Sequence, residues 1–286
     1  MPTHLNRWTQ LGLGAALAGG TLAACGSPDQ AAEPTETEIA AEVPPAESSA
    51  DSAVDAETAD VGPAEAGEGE GGVVITEALT DPVVFLSILA ITDAHIIAAR
   101  DAHALGEIDA AAGMFAHPVS EVLFESADVF AQLGVEDFSE MLTDTSTAIY
   151  DGETPEQISA RADAIGAAMA AAAEKAPASD SSAASIAAGV TVDQLERAAD
   201  MYRIALETDA YEPYLDGYGF FKAGESVFLE QADGIEAEDP AAATAIKDAI
   251  TTLEAAYPSA GRQDALPADL AGLTVAVSNA VLAVQN

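Results

Sequence analysis

The sequence predicts an all-α protein, a helical bundle of about eight or nine helices. Alanine dominates the apolar residues, and aromatic residues make up only 5% of the chain. Alanine has the highest helix propensity of all residues, so this composition favours packed helices over a sandwich of strands. Helix start and stop signals recur along the chain, and no sustained run of alternating apolar and polar residues indicates a β-strand.

The first 25 residues are interpreted as a secretory signal. A weakly basic start with His4 and Arg7 leads into an uncharged apolar stretch over residues 8–22. About 15 residues are too few to span a bilayer, but they suit the apolar core of a signal peptide.

The end of this segment, Leu22-Ala23-Ala24-Cys25, resembles the lipobox of bacterial lipoproteins. The resemblance implies lipidation of Cys25, cleavage before it, and stable membrane attachment through two or three acyl chains. Gly26 stands where an inner-membrane retention signal often has aspartate, which favours the outer membrane, facing the periplasm. The alternative is an ordinary signal peptide that happens to contain a cysteine. Cys25 is the only cysteine, which excludes a disulfide within the chain and any cysteine-based metal site.

Residues 26–72 are predicted to be a disordered acidic linker. They carry 13 acidic residues and no lysine or arginine, with scattered prolines and no aromatic residue. Such a segment buries too little apolar surface to offset the entropy of ordering. We expect it to hold the following domain away from the lipid surface.

Residues 73–286 are predicted to form the helical domain. Asp81-Pro82 is a start signal and Gly106 a stop signal for the first helix. Two capping boxes, Thr154–Gln157 and Thr191–Gln194, open later helices, and a loop near 176–190 is expected to divide two halves of the bundle. The predicted helices cover 82–105, 108–116, 118–130, 136–150, 155–175, 191–208, 213–231, 240–257 and 267–284.

The net charge of −40 excludes one class of partner. From residue 73 onward the chain still has 36 acidic and 8 basic residues. Nucleic-acid binding depends on lysine and arginine that neutralise phosphates, so no nucleic acid is expected. Cations, including metal ions, are the partners that this charge favours. A surface that serves only solubility, or life in a salty medium, is the alternative.

Three histidines follow Cys25, and they lie within 23 positions: His95, His103 and His117. Glu121 follows the last of them, and neutral imidazole with carboxylate suits iron, copper, zinc or manganese. His95 and His103 are eight residues apart on one helix, about 12 Å in rise, so one ion is not expected to bridge them. The favoured site therefore combines His117 and Glu121 with one of the two upstream histidines.

Each of these residues also has a purely structural interpretation. His95 lies on an apolar stripe, as a hydrogen-bonded core histidine would. His117 before a proline suits an N-cap, and Glu121 in a first turn complements the helix dipole.

A second candidate metal site is the stretch with Tyr214, Asp216 and Tyr218, since tyrosine and aspartate oxygens bind ferric iron. The alternative is that the tyrosines pack at a helix start while Gly217 and Gly219 allow two helices to approach closely.

The run His95-x7-His103-x3-Glu107, His117-Pro118-x-x-Glu121 and Tyr214-x-Asp216-x-x-Gly219-Phe220 resembles a family of exported, all-helical proteobacterial proteins with no assigned activity. It is more distantly similar to helical periplasmic domains of iron uptake, including the imelysin-like proteins. Those carry a His-x-x-Glu metal motif, whereas the spacing here is His-x-x-x-Glu. The resemblance covers residues 81–230 and implies an envelope setting and metal handling.

Signatures of enzymes, haem attachment and nucleotide binding are missing from the sequence. The first hypothesis is therefore a membrane-tethered periplasmic metal-binding lipoprotein that handles iron or copper. The second is a metal-free structural module that binds a protein partner in the cell envelope. An enzyme ranks third.

Overall fold

The computed structural model describes residues 68–69, 73–266 and 269–285, and Glu65–Asn286 forms one compact unit. The predicted signal segment, Cys25 and nearly all of the predicted linker lie outside the described residues.

The described part of the chain is an all-α bundle, as the sequence predicts. Within the described residues, a two-residue antiparallel pairing of Glu68–Gly69 with Val73–Val74 and a 3-10 helix, Ile75–Leu79, precede nine α-helices. The helices are α1 (Pro82–Leu105), α2 (Ile108–Pro118), α3 (Phe124–Leu133), α4 (Ser139–Tyr150), α5 (Pro155–Ala173), α6 (Ala183–Thr208), α7 (Glu212–Glu238), α8 (Pro240–Ala256) and α9 (Leu270–Val284).

The predicted local signals explain the ends of several helices. The Asp81 side chain accepts a hydrogen bond from the backbone N–H of Val83, and Gly106 ends α1 with a left-handed φ of 85°. Thr154 and Gln157 form the predicted capping box at the start of α5. Asp239 caps α8 by accepting from two backbone N–H groups. These contacts satisfy donors that a helix start leaves without a partner.

The predicted start of the sixth helix at Thr191 is wrong. The helix α6 begins eight residues earlier, at Ala183, where the Ser182 hydroxyl accepts from the backbone N–H of Ser185. The alanine-rich stretch before Thr191 has high helix propensity, so the helix continues through the second capping-box sequence. Thr191 and Gln194 are instead buried inside α6.

The sequence analysis predicted that Pro118 starts a new helix, and this prediction is wrong: Pro118 is the last residue of α2. The chain passes from α2 through a π-helical turn, Val119–Leu123, directly into α3. Proline lacks the N–H that would close the α-helical bond to Met114, and the π turn begins directly after it.

The first helix, α1, is the centre of the bundle. It packs against α2 and α5, which precede residues 176–182 in the chain, and against α6 and α7, which follow them. The helices before and after this segment therefore share one core. α1 is long and apolar enough to span a membrane by length and composition, but 72% of its most apolar 18-residue window is buried inside the bundle. Its apolar character is that of a core helix.

Candidate metal centre

Three helices bring two imidazoles and one carboxylate together. His95 on α1, His117 on α2 and Asp216 on α7 each offer one ligand atom, and these atoms all lie within 4.8 Å of one another. The carboxylate comes from 99 residues beyond His117 in the chain. Among the described residues, this is the group of histidine and acidic side chains with metal-binding geometry.

His95 is held in one tautomer. Its Nδ1 lies 2.8 Å from the carbonyl oxygen of Ile91, one turn back on α1. A carbonyl oxygen only accepts, so Nδ1 carries the proton of the neutral ring and Nε2 keeps a lone pair. Nε2 faces Asp216 Oδ1 at 3.7 Å. A backbone carbonyl that fixes the tautomer of a histidine in this way is common behind metal ligands.

Burial keeps the His95 imidazole neutral. It lowers the pKa of His95 to about 4, partly offset by the hydrogen bond to Ile91, and the nearby His117 and Arg197 lower it further. The ring is therefore uncharged at neutral pH, which is the state that binds a metal ion.

His117 lies at the more open side of the site. Its ring is edge-on to that of His95, with ring centroids 6.1 Å apart, and its Nε2 lies 3.5 Å from Glu212 Oε1. The π-helical turn begins two residues later, at Val119. Turns of this kind occur frequently at functional sites.

No family model, curated protein or solved structure matches this chain.

A glycine on α7 sets the distance between His95 and Asp216. A Cβ atom on Gly219 would lie 2.3 Å from the carbonyl oxygen of Ala94, so only glycine lets α7 approach α1 this closely. The next residue, Phe220, packs its ring edge-on against His95 with centroids 5.7 Å apart. The predicted role of the glycines in helix approach is confirmed at this position, whereas at Gly217 a Cβ would meet the hydroxyl of Tyr257, a side chain just beyond α8.

The site groups the predicted ligands differently from the sequence analysis. His95 is the upstream histidine that joins His117, and Asp216 takes the place expected for Glu121. Glu121 lies in the π-helical turn outside this group. His103 is buried two turns along α1, and its Nδ1 has no hydrogen-bond partner.

The residues of the second candidate site point to three different partners. The Tyr214 hydroxyl donates to the carbonyl oxygen of Ser259 at 2.8 Å, and burial raises its pKa to about 12. The Tyr218 hydroxyl donates to Asp101 at 2.7 Å, while Asp216 faces His95. Tyr218 therefore ties α7 to α1, Tyr214 ties α7 to the segment that follows α8, and Asp216 belongs with the histidines.

Sequence reasoning did not place Asp216 or Glu212 beside the histidines. The one signal available was their spacing, because residues four apart on a helix share a face. That spacing predicts that the two carboxylates lie on one face of α7. Which residues of other helices lie opposite them depends on how α7 packs against α1 and α2.

The ligand set has a defined chemistry. Two imidazole nitrogens with carboxylate oxygen suit zinc, ferrous iron or copper(II), whereas copper(I) prefers sulfur ligands. Ligand atoms around a tetrahedral ion lie about 3.4 Å apart at bond lengths near 2.1 Å. Closing from 4.8 Å to that separation requires shifts of the order of 1 Å, which side-chain rotations supply.

Proposed function

We propose that the protein is a lipid-anchored metal-binding protein of the cell envelope, in which His95, His117 and Asp216 bind a divalent transition-metal ion in iron, copper or zinc handling. The lipobox-like sequence ending at Cys25 supports the anchor and the envelope setting. The outer membrane, facing the periplasm, is the proposed location.

One observation carries the proposal. The lone pair of His95 Nε2 and the Asp216 carboxylate oxygen face each other at 3.7 Å, in the bundle interior. Both are acceptors, and two acceptors that face each other away from water are unfavourable. A cation between them would turn this repulsion into attraction.

Calorimetric titration tests the site. The chain from residue 26 onward is titrated with zinc, copper(II) and ferrous iron in about 0.15 M salt, where non-specific attraction to exposed charge is screened beyond roughly 8 Å. We expect one saturable site, and we expect His117→Ala and Asp216→Asn each to remove it. Bound metal should also raise the melting temperature of the wild type, because binding only to the folded state stabilises it.

His103→Ala is the matched control, because it removes a buried histidine from the same helix without touching the proposed ligands. If it removes binding as fully as His117→Ala does, the ligand assignment is wrong. A wild type with no saturable site would favour the metal-free structural module. In that case His95→Ala should destabilise the protein by leaving a cavity where the buried ring packs against Phe220.

The anchor is tested separately. Cys25→Ser should abolish lipid labelling and either release the protein from membranes or leave an unprocessed precursor. Processing and membrane fractionation identical to those of the wild type would contradict the lipoprotein assignment.

A further inference from the structure

Glu212 lies beside the proposed metal centre. It is the first residue of α7, one turn before Asp216, so the two carboxylates lie on the same face of the helix. His117 offers one ring nitrogen to the group that includes Asp216, and its Nε2 lies 3.5 Å from Glu212 Oε1. The His117 imidazole therefore lies close to both carboxylates.

We propose that Glu212 is the fourth ligand and completes a set of two imidazoles and two carboxylates. This proposal rests on the proposed function, since it requires that the ion binds between His95, His117 and Asp216.

The charge of the bound ion supports this assignment. Neutral imidazoles contribute no charge, so a divalent ion with Asp216 alone leaves one net positive charge in a largely buried site. Uncompensated charge away from water is costly. A second carboxylate brings the net charge of the centre to zero.

Exposure indicates the direction from which the ion arrives. The side chains are 6% exposed at His95, 17% at Asp216, 24% at His117 and 66% at Glu212. Glu212 is therefore the ligand that an incoming ion meets first, and its flexible side chain can reach toward His117 without any movement of the helix. An ion held this way exchanges with solvent on the side of Glu212, as an ion that the protein carries and releases would.

A carboxylate in the first turn of a helix also complements the helix dipole, and the test has to separate this role from metal binding. Glu156 provides a matched control, because it is an exposed glutamate in the first turn of α5. Glu212→Gln and Glu156→Gln should lower the metal-free melting temperature by similar small amounts.

The experiment compares zinc affinity and the visible spectrum of the cobalt(II) form in wild type, Glu212→Gln, Glu156→Gln and Asp216→Asn, all in the chain from residue 26. We expect Glu212→Gln to weaken zinc binding at least about tenfold and to change the cobalt spectrum, since a ligand is lost. Glu156→Gln should match the wild type in both measurements, and Asp216→Asn should lose binding.

Two outcomes overturn the proposal, and they are distinguishable. If Asp216→Asn loses binding while Glu212→Gln binds zinc as Glu156→Gln does, the metal site stands but Glu212 is not a ligand. If the wild type itself shows no saturable zinc or cobalt site, the proposed function fails and the fourth ligand fails with it.

Discussion

Asp93 and His95 lie two residues apart on α1, and burial shifts their pKa values in opposite directions. Burial raises the pKa of Asp93 to about 6, which Glu230 reinforces and Arg100 partly offsets. The pKa of His95 is lowered to about 4. In each case the interior disfavours the charged form.

The two shifts affect stability with opposite signs. His95 is protonated more readily in the unfolded chain, so its contribution to stability is complete above about pH 6.5 and is lost as the pH falls toward 4. Asp93 holds its proton more tightly in the folded state, so its cost is present above about pH 6 and is relieved as the pH falls toward 3.8. Each shift corresponds to about 3 kcal/mol at most.

We therefore expect Asp93→Asn to stabilise the metal-free protein at pH 7 by about 1–2 kcal/mol, less than the full figure because Asp93 keeps some contact with solvent. The variant should also lose more stability than the wild type between pH 6.5 and 4, because the His95 loss is no longer offset. Urea denaturation at several pH values measures both effects. Asp163→Asn on the exposed face of α5 is the control, and an equal pH response in the two variants would contradict the assignment to Asp93.

At the scale of single elements, the contact between α1 and α7 leaves no room for a side chain at Gly219. Gly219→Ala places a Cβ against the carbonyl oxygen of Ala94 at 2.3 Å, and this backbone atom moves only if the helices separate. We expect a loss of about 1–3 kcal/mol in the free energy of unfolding. Metal affinity should fall as well, because Asp216 on α7 moves away from His95 on α1.

Gly166→Ala on α5 is the control, since its Cβ would meet no atom within 4 Å. Helix propensity alone should then stabilise the protein by about 0.5–1 kcal/mol. Thermal melts of both variants, with and without zinc, measure these differences. A Gly219→Ala protein that is as stable as the wild type and binds zinc equally well would contradict this account of the helix contact.

Local signals determined how well the elements could be predicted. Capping side chains and stop glycines act within one turn, so the ends of α1, the start of α5 and the start of α8 follow from the sequence. The helix starts predicted at Thr191 and Pro118 are wrong for the same reason: each residue is a common start signal, but the neighbouring sequence continues the helical backbone through it. The alanine-rich sequence before Thr191 continues α6 through that residue, and a π turn follows Pro118 and leads directly into α3.

At the scale of the whole molecule, repulsion between acidic side chains is the dominant electrostatic feature. Residues 73–286 carry 36 acidic against 8 basic side chains. Several bases lie in pairs on the surface, such as Arg161 with Glu153 and Lys247 with Glu236. Pairs of this kind contribute little, about 0–1 kcal/mol each, so the repulsion among the remaining acids outweighs them.

Salt should therefore stabilise this protein. Raising sodium chloride from about 0.01 M to 0.15 M shortens the Debye length from roughly 30 Å to 8 Å and screens the repulsion. We expect the melting temperature to rise at pH 7 and to rise less near pH 4.5, where many carboxylates are protonated. A fall in melting temperature with salt would mean that the surface ion pairs outweigh the repulsion.

The metal centre could be predicted only in part, since it depends on the whole molecule. The clustering of three histidines and the helical rise along α1 limit the upstream ligand to one of His95 and His103. The choice of His95, and of Asp216 over Glu121, depends on the close approach of α1 to α7. Pairwise helix packing is a tertiary property that the spacing of residues along the chain does not contain.

The tyrosines that join α6, α7 and the end of α8 give the protein an intrinsic optical signal. The ring of Tyr257 lies 5.2 Å from that of Tyr214 and 5.5 Å from that of Tyr202. The chain has one tryptophan, Trp8, which falls in the segment interpreted as a signal peptide. Cleavage before Cys25 would remove this tryptophan and leave tyrosine as the main source of near-ultraviolet circular dichroism and fluorescence. Because rings this close couple their electronic transitions, the spectrum of the unlabelled protein would show directly whether α6, α7 and the end of α8 remain packed together.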